Sequence, residues 1–289
     1  MLVCPLCSSS DFKIRPGKIR TTNIIKASKV LECNSCGFVF LDDTSHISNL
    51  HYQESRMFES DKQEVDLAKY RQETKVDDVR RFEFLKAQIT GKEVLEVGSG
   101  NSSFLLLAQT KAARVVGIEP DRQFQDQFRK EQLEIHADIE SLESQFDVVC
   151  TFHVIEHIKD VRKFVGSLIR KTRRGGKIYI ETPNSDDALI TLYESREFMD
   201  FTYWDNHLGL LNHKSMQFLL DDLNGIEYKS HYVQRYGIGN HLHWLAKKAG
   251  GGHLKWNFLE NSEITQGYQK SLGEIGKNDT LFYEITKLT

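Results

Sequence analysis

Residues 94–102 read VLEVGSGNS, in which an apolar strand carries Glu96 and leads into a glycine turn and a predicted helix. Gly98 and Gly100 lack a Cβ, so the backbone can turn sharply there and approach a ligand closely. The N-terminus of the following helix presents free backbone N–H groups at the same place. This stretch therefore predicts a strand–turn–helix unit with a small-molecule site at its turn.

A second acidic strand end indicates the kind of ligand. Residues 115–119 read VVGIE, and Glu119 is placed where a carboxylate can accept both hydroxyls of a ribose. A dinucleotide is disfavoured because Ser103 replaces a third glycine and because Glu96 would oppose a pyrophosphate. Glu96 suits the cationic ammonium and sulfonium of S-adenosylmethionine (SAM) instead. An adenosyl ligand that carries positive charge is therefore expected.

These residues resemble a known family. The turn Glu96-x-Gly98-x-Gly100, with Glu119, is similar to motif I and the acidic second-strand end of class I SAM-dependent methyltransferases. That family often has a further glycine where Ser102 stands. The resemblance implies an α/β, Rossmann-like fold with a doubly wound, mostly parallel sheet and SAM at the carboxyl ends of the strands. The residues that it assigns to SAM are Glu96, Gly98, Gly100, Glu119, Asp138, Ile139, Phe152 and His153, with Asp138 at the adenine amino group.

The rest of the chain supplies elements in the order that this fold requires. Further strands are predicted over 133–139, 146–150, 177–181, 226–234 and 281–287, and crossover helices over 102–109, 121–130 and 160–171. A helix over 63–89 is predicted to cap the SAM site. Its expected inner face is Val65, Tyr70, Val76, Val79, Phe82 and Leu85.

Four cysteines form two C-x-x-C pairs near the N-terminus, Cys4 with Cys7 and Cys33 with Cys36. Two such knuckles complete a tetrahedral zinc site, whereas a redox C-x-x-C needs only one pair in a thioredoxin-like context. We therefore predict a small zinc ribbon with structural Zn²⁺. The predicted domains are the ribbon (1–41), a helical connector and cap (42–90), and a methyltransferase domain (91–289) with an insertion at about 235–280.

Composition bounds the possible partners. The net charge of −3 makes nucleic acid an unexpected partner for the whole chain. No apolar run reaches the roughly 20 residues that span a bilayer, and the first residues do not resemble a signal peptide. A cytoplasmic protein is expected.

The segment after the fourth predicted strand contains His153-x-x-Glu156-His157. The same letters occur in inverted zinc proteases, but there the motif lies within a helix, whereas here it joins a strand end to a helix start. The resemblance is closest to small-molecule methyltransferases with a Glu-His pair at this position, including sugar C-, N- and O-methyltransferases. We predict His157 as the general base, held by Glu156.

Several later residues are predicted to form a polar and aromatic acceptor pocket: His207, His213, Tyr236, His241 and Trp244. Rings stack on the apolar face of a sugar and polar groups bind its hydroxyls. The sequence thus predicts methyl transfer to a small molecule, foremost a hydroxyl of a nucleotide-linked sugar or surface-polysaccharide precursor. The alternatives are an RNA methyltransferase whose ribbon contacts phosphates, and a non-catalytic zinc-ribbon binding protein.

Overall fold

The computed structural model describes residues 2–21, 29–47, 51–53 and 66–289. Its strands are β1 (Phe12–Arg15), β2 (Val30–Cys33), β3 (Val39–Leu41), β4 (Glu93–Val97), β5 (Arg114–Ile118), β6 (Glu134–His136), β7 (Phe146–Phe152), β8 (Thr172–Pro183), β9 (Gly209–Leu210), β10 (Ile226–Val233) and β11 (Thr280–Lys287). Its α-helices are α1 (Leu67–Ile89), α2 (Ser103–Ala108), α3 (Arg122–Lys130), α4 (Val161–Lys171), α5 (Ala188–Thr191), α6 (Arg196–Thr202), α7 (His213–Asp221), α8 (Ile238–Lys247), α9 (Gly252–Lys255) and α10 (Ser262–Glu274).

A seven-stranded sheet forms the centre of the molecule, in the order β10-β11-β8-β7-β4-β5-β6. The five strands from β8 to β6 are parallel, and β11 runs antiparallel to both of its neighbours. Apolar residues of the central strands, such as Leu95, Val149 and Ile178, are completely buried because helices cover both faces of the sheet. The predicted doubly wound, mostly parallel fold is confirmed.

Helix α1 begins at Leu67, after Asp66, whose carboxylate accepts a hydrogen bond from the Lys69 N–H. The predicted helical residues 63–65, and with them Val65, lie outside the described residues. The helix ends at Ile89, as expected.

The inner face of α1 differs from the prediction. Val76 and Val79 are exposed, at 81% and 41%, whereas Asp78 and Arg81 are buried. The prediction followed apolar spacing, but Arg81 pairs with the buried Glu181 and with Asp78 of the same helix, and these ion pairs hold the two charged residues inside. The predicted Phe82 and Leu85 are buried, and Tyr70 is partly buried.

The N-terminal strands form a second sheet that also includes the methyltransferase segment. Its order is β1-β2-β3-β9, with antiparallel pairing throughout. The side chain of Asn212 donates a hydrogen bond to the Gly37 carbonyl, 175 positions earlier in the chain. The N-terminal unit is therefore joined to the larger domain by backbone pairing, and the division at residue 41 stays a prediction.

The predicted insertion between β10 and β11 is helical and consists of α8, α9, a 3₁₀ turn (Asn257–Leu259) and α10. Within the part of the chain that the structure describes, no helix combines the length and apolar character needed to cross a bilayer.

Candidate active site

A cavity of about 580 Å³ opens at the carboxyl ends of the parallel strands. Loops that follow β4, β5, β7 and β8 contribute to its wall, as expected for a ligand site in an open α/β sheet. The predicted site residues that line it are Gly98, Gly100, Glu119, Phe152, His153, Glu156, His157, His207, Tyr236 and His241. Residues predicted for cofactor and for acceptor thus meet in one cavity.

The glycine turn after β4 has the conformation that the sequence suggested. Gly98 and Gly100 have φ angles of 79° and 49°. A Cβ at Gly98 would lie 2.2 Å from Cγ2 of Val154, so no larger residue fits there without displacing that side chain. Ser102 also has a positive φ, 59°, at the position where the family often has glycine.

Glu119 is buried beside this turn. One of its carboxylate oxygens accepts a hydrogen bond from the Gly100 N–H at 2.8 Å, and the other from the Asp121 N–H at 2.9 Å. Burial raises the pKa of Glu119 to about 7 despite these two bonds. Each oxygen can still accept a second hydrogen bond from a ligand in the cavity.

Glu96 does not line the cavity but is buried in the strand directly before the turn. Its Oε2 atom and Oδ2 of Asp78 have no hydrogen-bond partner among the described residues. Burial raises the pKa of both carboxyl groups, and the charge of Asp78 raises that of Glu96 further. Because neither oxygen has a compensating partner, a positively charged ligand such as SAM placed beside these groups would favour their ionised forms.

A network of charged side chains connects α1 with the end of β8. Glu181 is fully buried, and Arg81 donates to its Oε1 through Nε and Nη2 at 3.1 and 2.7 Å. Arg80 donates to both oxygens of Glu181 at 2.9 Å. Burial alone would raise the pKa of Glu181, but Arg81 and Arg80 hold it well below the usual value. Glu181 is therefore an ionised carboxylate in the interior.

The same network reaches the insertion through Arg235. Its guanidinium donates to both oxygens of Asp77, and its Nη1 lies 2.8 Å from Nε2 of His153. Because arginine can only donate, His153 accepts through Nε2 and carries its proton on Nδ1. Nδ1 then donates to Oε1 of Glu156 at 3.1 Å. Asp77, Arg81 and Arg235 all line the cavity, so the network forms part of its wall.

Glu156 orients His153 and not His157, which differs from the predicted arrangement. Its second carboxylate oxygen accepts from the Thr182 hydroxyl at 3.0 Å. Burial would raise the pKa of Glu156, but the hydrogen bond from His153 outweighs this effect, and the pKa is lowered to about 2. His153 has a φ of 56° and Ile155–His157 is a 3₁₀ turn, so His153 and His157 do not share a helix face as in a zinc protease.

His157 is held by a backbone carbonyl. Its Nδ1 lies 2.7 Å from the Asn206 oxygen, which fixes the proton on Nδ1 and leaves Nε2 as an acceptor. Nε2 has no hydrogen-bond partner among the residues that the structure describes. Burial lowers the pKa of His157, and the charge of Glu156 partly offsets this effect.

His207, like His157, has its Nδ1 held by a backbone carbonyl. Its Nδ1 lies 3.1 Å from the Thr202 carbonyl oxygen, and burial lowers its pKa to about 4. The rings of His157 and His207 are 5.2 Å apart. A ring nitrogen of each and one oxygen of Glu156 lie within 4.8 Å of one another. Both imidazoles are neutral near pH 7, and each has one nitrogen available to a ligand.

Other predicted residues lie outside the lining of the cavity. Asp138 is exposed, and its carboxylate caps the 3₁₀ turn Ile139–Ser141 by accepting from the Glu140 N–H. Ile139 packs against the core beside it. His213 bonds to the Tyr283 hydroxyl at 2.8 Å. Trp244 packs on two aromatic rings of the cavity wall, 5.3 and 5.5 Å away, and supports the wall from behind.

His241 lines the cavity while being almost completely buried. Gln234 and Tyr268 hold its two ring nitrogens at 3.1 and 2.7 Å, so it braces the insertion. The sequence analysis missed Asp77, Arg81 and Arg235. The charge pattern of α1 was a local signal for Asp77 and Arg81. Arg235 lies outside α1, and its partners Asp77 and His153 are distant in sequence.

The four cysteines of the two C-x-x-C pairs converge. The Cys4 and Cys36 sulfurs are 3.6 Å apart, the Cys7 and Cys33 sulfurs are 3.4 Å apart, and all four lie within 4.8 Å of one another. A tetrahedral ion with Zn–S bonds of about 2.3 Å requires sulfurs roughly 3.8 Å apart. The four thiols are free of disulfides, so this donor set fits a zinc ion.

A model of a methyltransferase domain family matches residues 67–229, more than half of the chain. The chain belongs to this methyltransferase family. A probable S-adenosylmethionine-dependent methyltransferase of Mycolicibacterium smegmatis is 31% identical over 109 residues, which are 36% of this chain and 42% of that protein. A ubiquinone biosynthesis O-methyltransferase of Pseudomonas putida is 27% identical over 118 residues, 37% of this chain and 51% of that protein. The chain spans about half the length of these curated relatives.

Solved structures support the fold. A SAM-dependent methyltransferase from Archaeoglobus fulgidus has a TM-score of 0.51 at 18% identity, over 74% of this chain and 93% of that one. Another, from Thermotoga maritima, has a TM-score of 0.51 at 15% identity, over 78% of this chain and 96% of that one. At these identities the likeness establishes the shared fold alone.

Proposed function

We propose that this methyltransferase transfers the methyl group of SAM to a hydroxyl of a small-molecule acceptor, with His157 as general base. The observation that carries the proposal is the hydrogen bonding of the two ring nitrogens of His157. Its Nδ1 is fixed by Asn206, and its Nε2 is an unpaired acceptor in the cavity that Glu119 also lines. A neutral imidazole in this position can take the proton of an acceptor hydroxyl.

The cofactor half of the cavity fits SAM. Glu119 would hold the ribose hydroxyls, and the turn at Gly98 and Gly100 would admit the chain of the cofactor. Glu96, whose Oε2 atom has no partner among the described residues, would ionise beside the cationic groups of the cofactor. When bound, SAM supplies the electrophilic methyl group. Asp138, at the adenine amino group, and Ile139 remain proposed cofactor contacts, although neither lines the cavity in this structure.

Glu119→Ala should weaken SAM binding roughly tenfold or more, because charge-assisted hydrogen bonds contribute about 1.5–3 kcal/mol each. Titration calorimetry with SAM measures this loss. Glu143→Ala is the matched control, since Glu143 is an exposed glutamate outside the cavity lining. Equal SAM affinity of the Glu119 variant and the parent would contradict the cofactor assignment.

The fixed groups around His157 support its role in proton transfer. When Nε2 takes the proton, the Nδ1–H bond to the Asn206 carbonyl and the ionised Glu156 both favour the resulting cation. Glu156 thus acts on His157 through its charge, while its hydrogen bonds orient His153. Holding the acceptor oxygen in line with the transferred group supplies most of the remaining acceleration.

The acceptor that we propose is a hydroxyl of a nucleotide-linked sugar or surface-polysaccharide precursor. The acceptor half of the cavity combines aromatic rings with hydrogen-bonding groups, including Trp204, His207, Tyr236 and Asn240. Rings stack on the apolar face of a sugar, and polar groups bind its hydroxyls. The O-methyltransferase name of the Pseudomonas relative supports oxygen as the acceptor atom. A screen of nucleotide sugars with SAM consumption as readout tests the proposal, and failure of the whole panel would refute this acceptor class.

Two alternatives receive less support. An RNA methyltransferase would use the cations of the ribbon for phosphates, but Arg15 is buried against Glu32 and Asp186, and Lys13 also pairs with Glu32. A non-catalytic binding protein would not need a poised imidazole beside a cofactor site. Tight RNA binding with a steep salt dependence would favour the first alternative over ours.

We further propose that Cys4, Cys7, Cys33 and Cys36 hold one structural Zn²⁺. Their sulfurs form a closed four-ligand set, which leaves no open position for substrate. Zinc here would fix the two knuckles that flank β1 and β2.

Cys33→Ser should lower the zinc content from one ion per chain toward zero, because three thiolates hold zinc less tightly than four. Elemental analysis of protein purified without chelators measures the content. Cys150→Ala is the control, since Cys150 is buried in β7, away from the four sulfurs. A zinc-free parent protein would contradict the assignment.

A further inference from the structure

The N-terminal unit forms part of the wall of the catalytic cavity. The Arg20 N–H donates to the Tyr203 carbonyl at 2.7 Å, and the Asp205 N–H donates to the Arg20 carbonyl at 3.0 Å. These two bonds hold the main chain of Arg20 alongside Trp204. The pairing of β3 with β9 also joins the N-terminal unit to the segment that follows Trp204. Arg20 is thus a fixed element of the acceptor half, although it belongs to the predicted ribbon.

The guanidinium of Arg20 lies over two rings of the cavity wall. Its Cζ atom is 4.9 Å from the ring centre of Phe201 and 5.3 Å from that of Trp204. Stacking of this kind holds the planar group in one orientation while leaving its N–H donors free along the edge. All three residues line the cavity.

Arg20 differs from the other arginines of the cavity in its charge balance. Arg81 is neutralised by Glu181 and Asp78, and Arg235 by Asp77. In the ranges that the structure describes, no carboxylate pairs with Arg20, and its side chain is exposed. A stacked, unneutralised guanidinium at a ligand cavity is suited to an anion.

The position of Arg20 relative to His157 indicates which part of the acceptor it would meet. The Trp204 ring is close to both residues: its centre is 5.3 Å from Cζ of Arg20 and 6.1 Å from the centre of the His157 ring. A group bound by Arg20 would therefore be about one ring away from the hydroxyl that His157 deprotonates. The exposure of Arg20 also suits a multiply charged group, because such a group is costly to remove from water.

We propose that Arg20 binds the diphosphate of the acceptor, so that the sugar enters the cavity and the nucleotide stays at its mouth. This inference rests on the proposed function and assigns one contact of its acceptor. It makes the N-terminal unit a determinant of acceptor specificity. The proposal concerns a phosphate anion bound by one stacked arginine, which is distinct from the broad basic surface that an RNA enzyme needs.

The test uses the full chain, uridine diphosphate as probe, and saturating S-adenosylhomocysteine to occupy the cofactor half. Titration calorimetry compares the parent with Arg20→Ala, Arg20→Lys and Lys18→Ala. Lys18 is the matched control, because it is an exposed cation two positions away whose side chain does not line the cavity. Uridine without phosphates is titrated in parallel.

We expect Arg20→Ala to weaken uridine diphosphate binding about tenfold, with Arg20→Lys intermediate and Lys18→Ala equal to the parent. Uridine should bind weakly and equally to all four proteins. Equal loss in the Arg20 and Lys18 variants, no loss in Arg20→Ala, or no binding by the parent would each overturn the proposal. Binding of S-adenosylhomocysteine is measured first, so a failure of the methyltransferase assignment would be seen separately.

Discussion

His157→Ala is expected to lower turnover roughly 10²–10⁴-fold while SAM affinity stays close to that of the parent. The loss follows because Nε2 of His157 is the proposed proton acceptor. His207 is close, but burial lowers its pKa to about 4, so it is a weaker base. Steady-state turnover and titration calorimetry with SAM measure the two quantities.

The control is His231→Ala. His231 lies on β10, pairs with Glu284 of β11 and does not line the cavity. In the parent, the rate should rise with pH through the pKa of His157. Burial places that pKa below the ordinary value of about 6.5, so the rise should lie on the acid side of it. Full activity of the His157 variant, or the same acid limb in it, would exclude His157 as the base.

Glu181→Gln is expected to reduce the free energy of unfolding by about 3–5 kcal/mol. The substitution keeps the shape of the side chain but removes the charge that Arg80 and Arg81 neutralise in the interior. A buried guanidinium without its counter-charge is costly, and α1 depends on these contacts to cover the cavity. Urea denaturation at neutral pH, followed by circular dichroism, gives the free energy.

Glu134→Gln is the matched control, because Glu134 pairs with Arg114 on the surface and such pairs contribute about 0–1 kcal/mol. The Glu181 pair also predicts a pH dependence. The pKa of Glu181 is held below the ordinary 4.5 in the folded state. Its ion pairs therefore stabilise the fold fully above pH 4.5, and this stabilisation is lost as the pH falls through the lowered pKa. Equal stabilities of the two variants would show that the buried network contributes little.

The sequence predicted the parts of the site that depend on local chemistry. The turn at Gly98 and Gly100 needs positive φ angles and close approach, and such requirements are visible as glycines. Glu119 ends an apolar strand, and parallel strands end at the same edge of a sheet, so its meeting with the turn follows from the fold.

The orientation of α1 and the partner of Glu156 could not be predicted in the same way. Arg81 is buried because Glu181, 100 positions later, neutralises it, and nothing near Arg81 in the sequence indicates that partner. Glu156 faces His153 because Arg235 fixes the opposite side of the imidazole. Asp138 was assigned by resemblance, but it is exposed in the structure and accepts from its own turn. Pairings between distant charges depend on tertiary geometry, which spacing alone does not encode.

The contact between Asn212 and Gly37 has a consequence for how the chain is made. The two residues are 175 positions apart. At roughly 5–20 residues per second, the ribosome reaches Asn212 roughly 10–35 s after it has added Gly37. Until then, the apolar strand Val39–Leu41 has one edge open, and Cys33 and Cys36 are not yet enclosed. The nascent N-terminus therefore has a period in which the proposed zinc ion could bind before the larger domain packs over the cysteines.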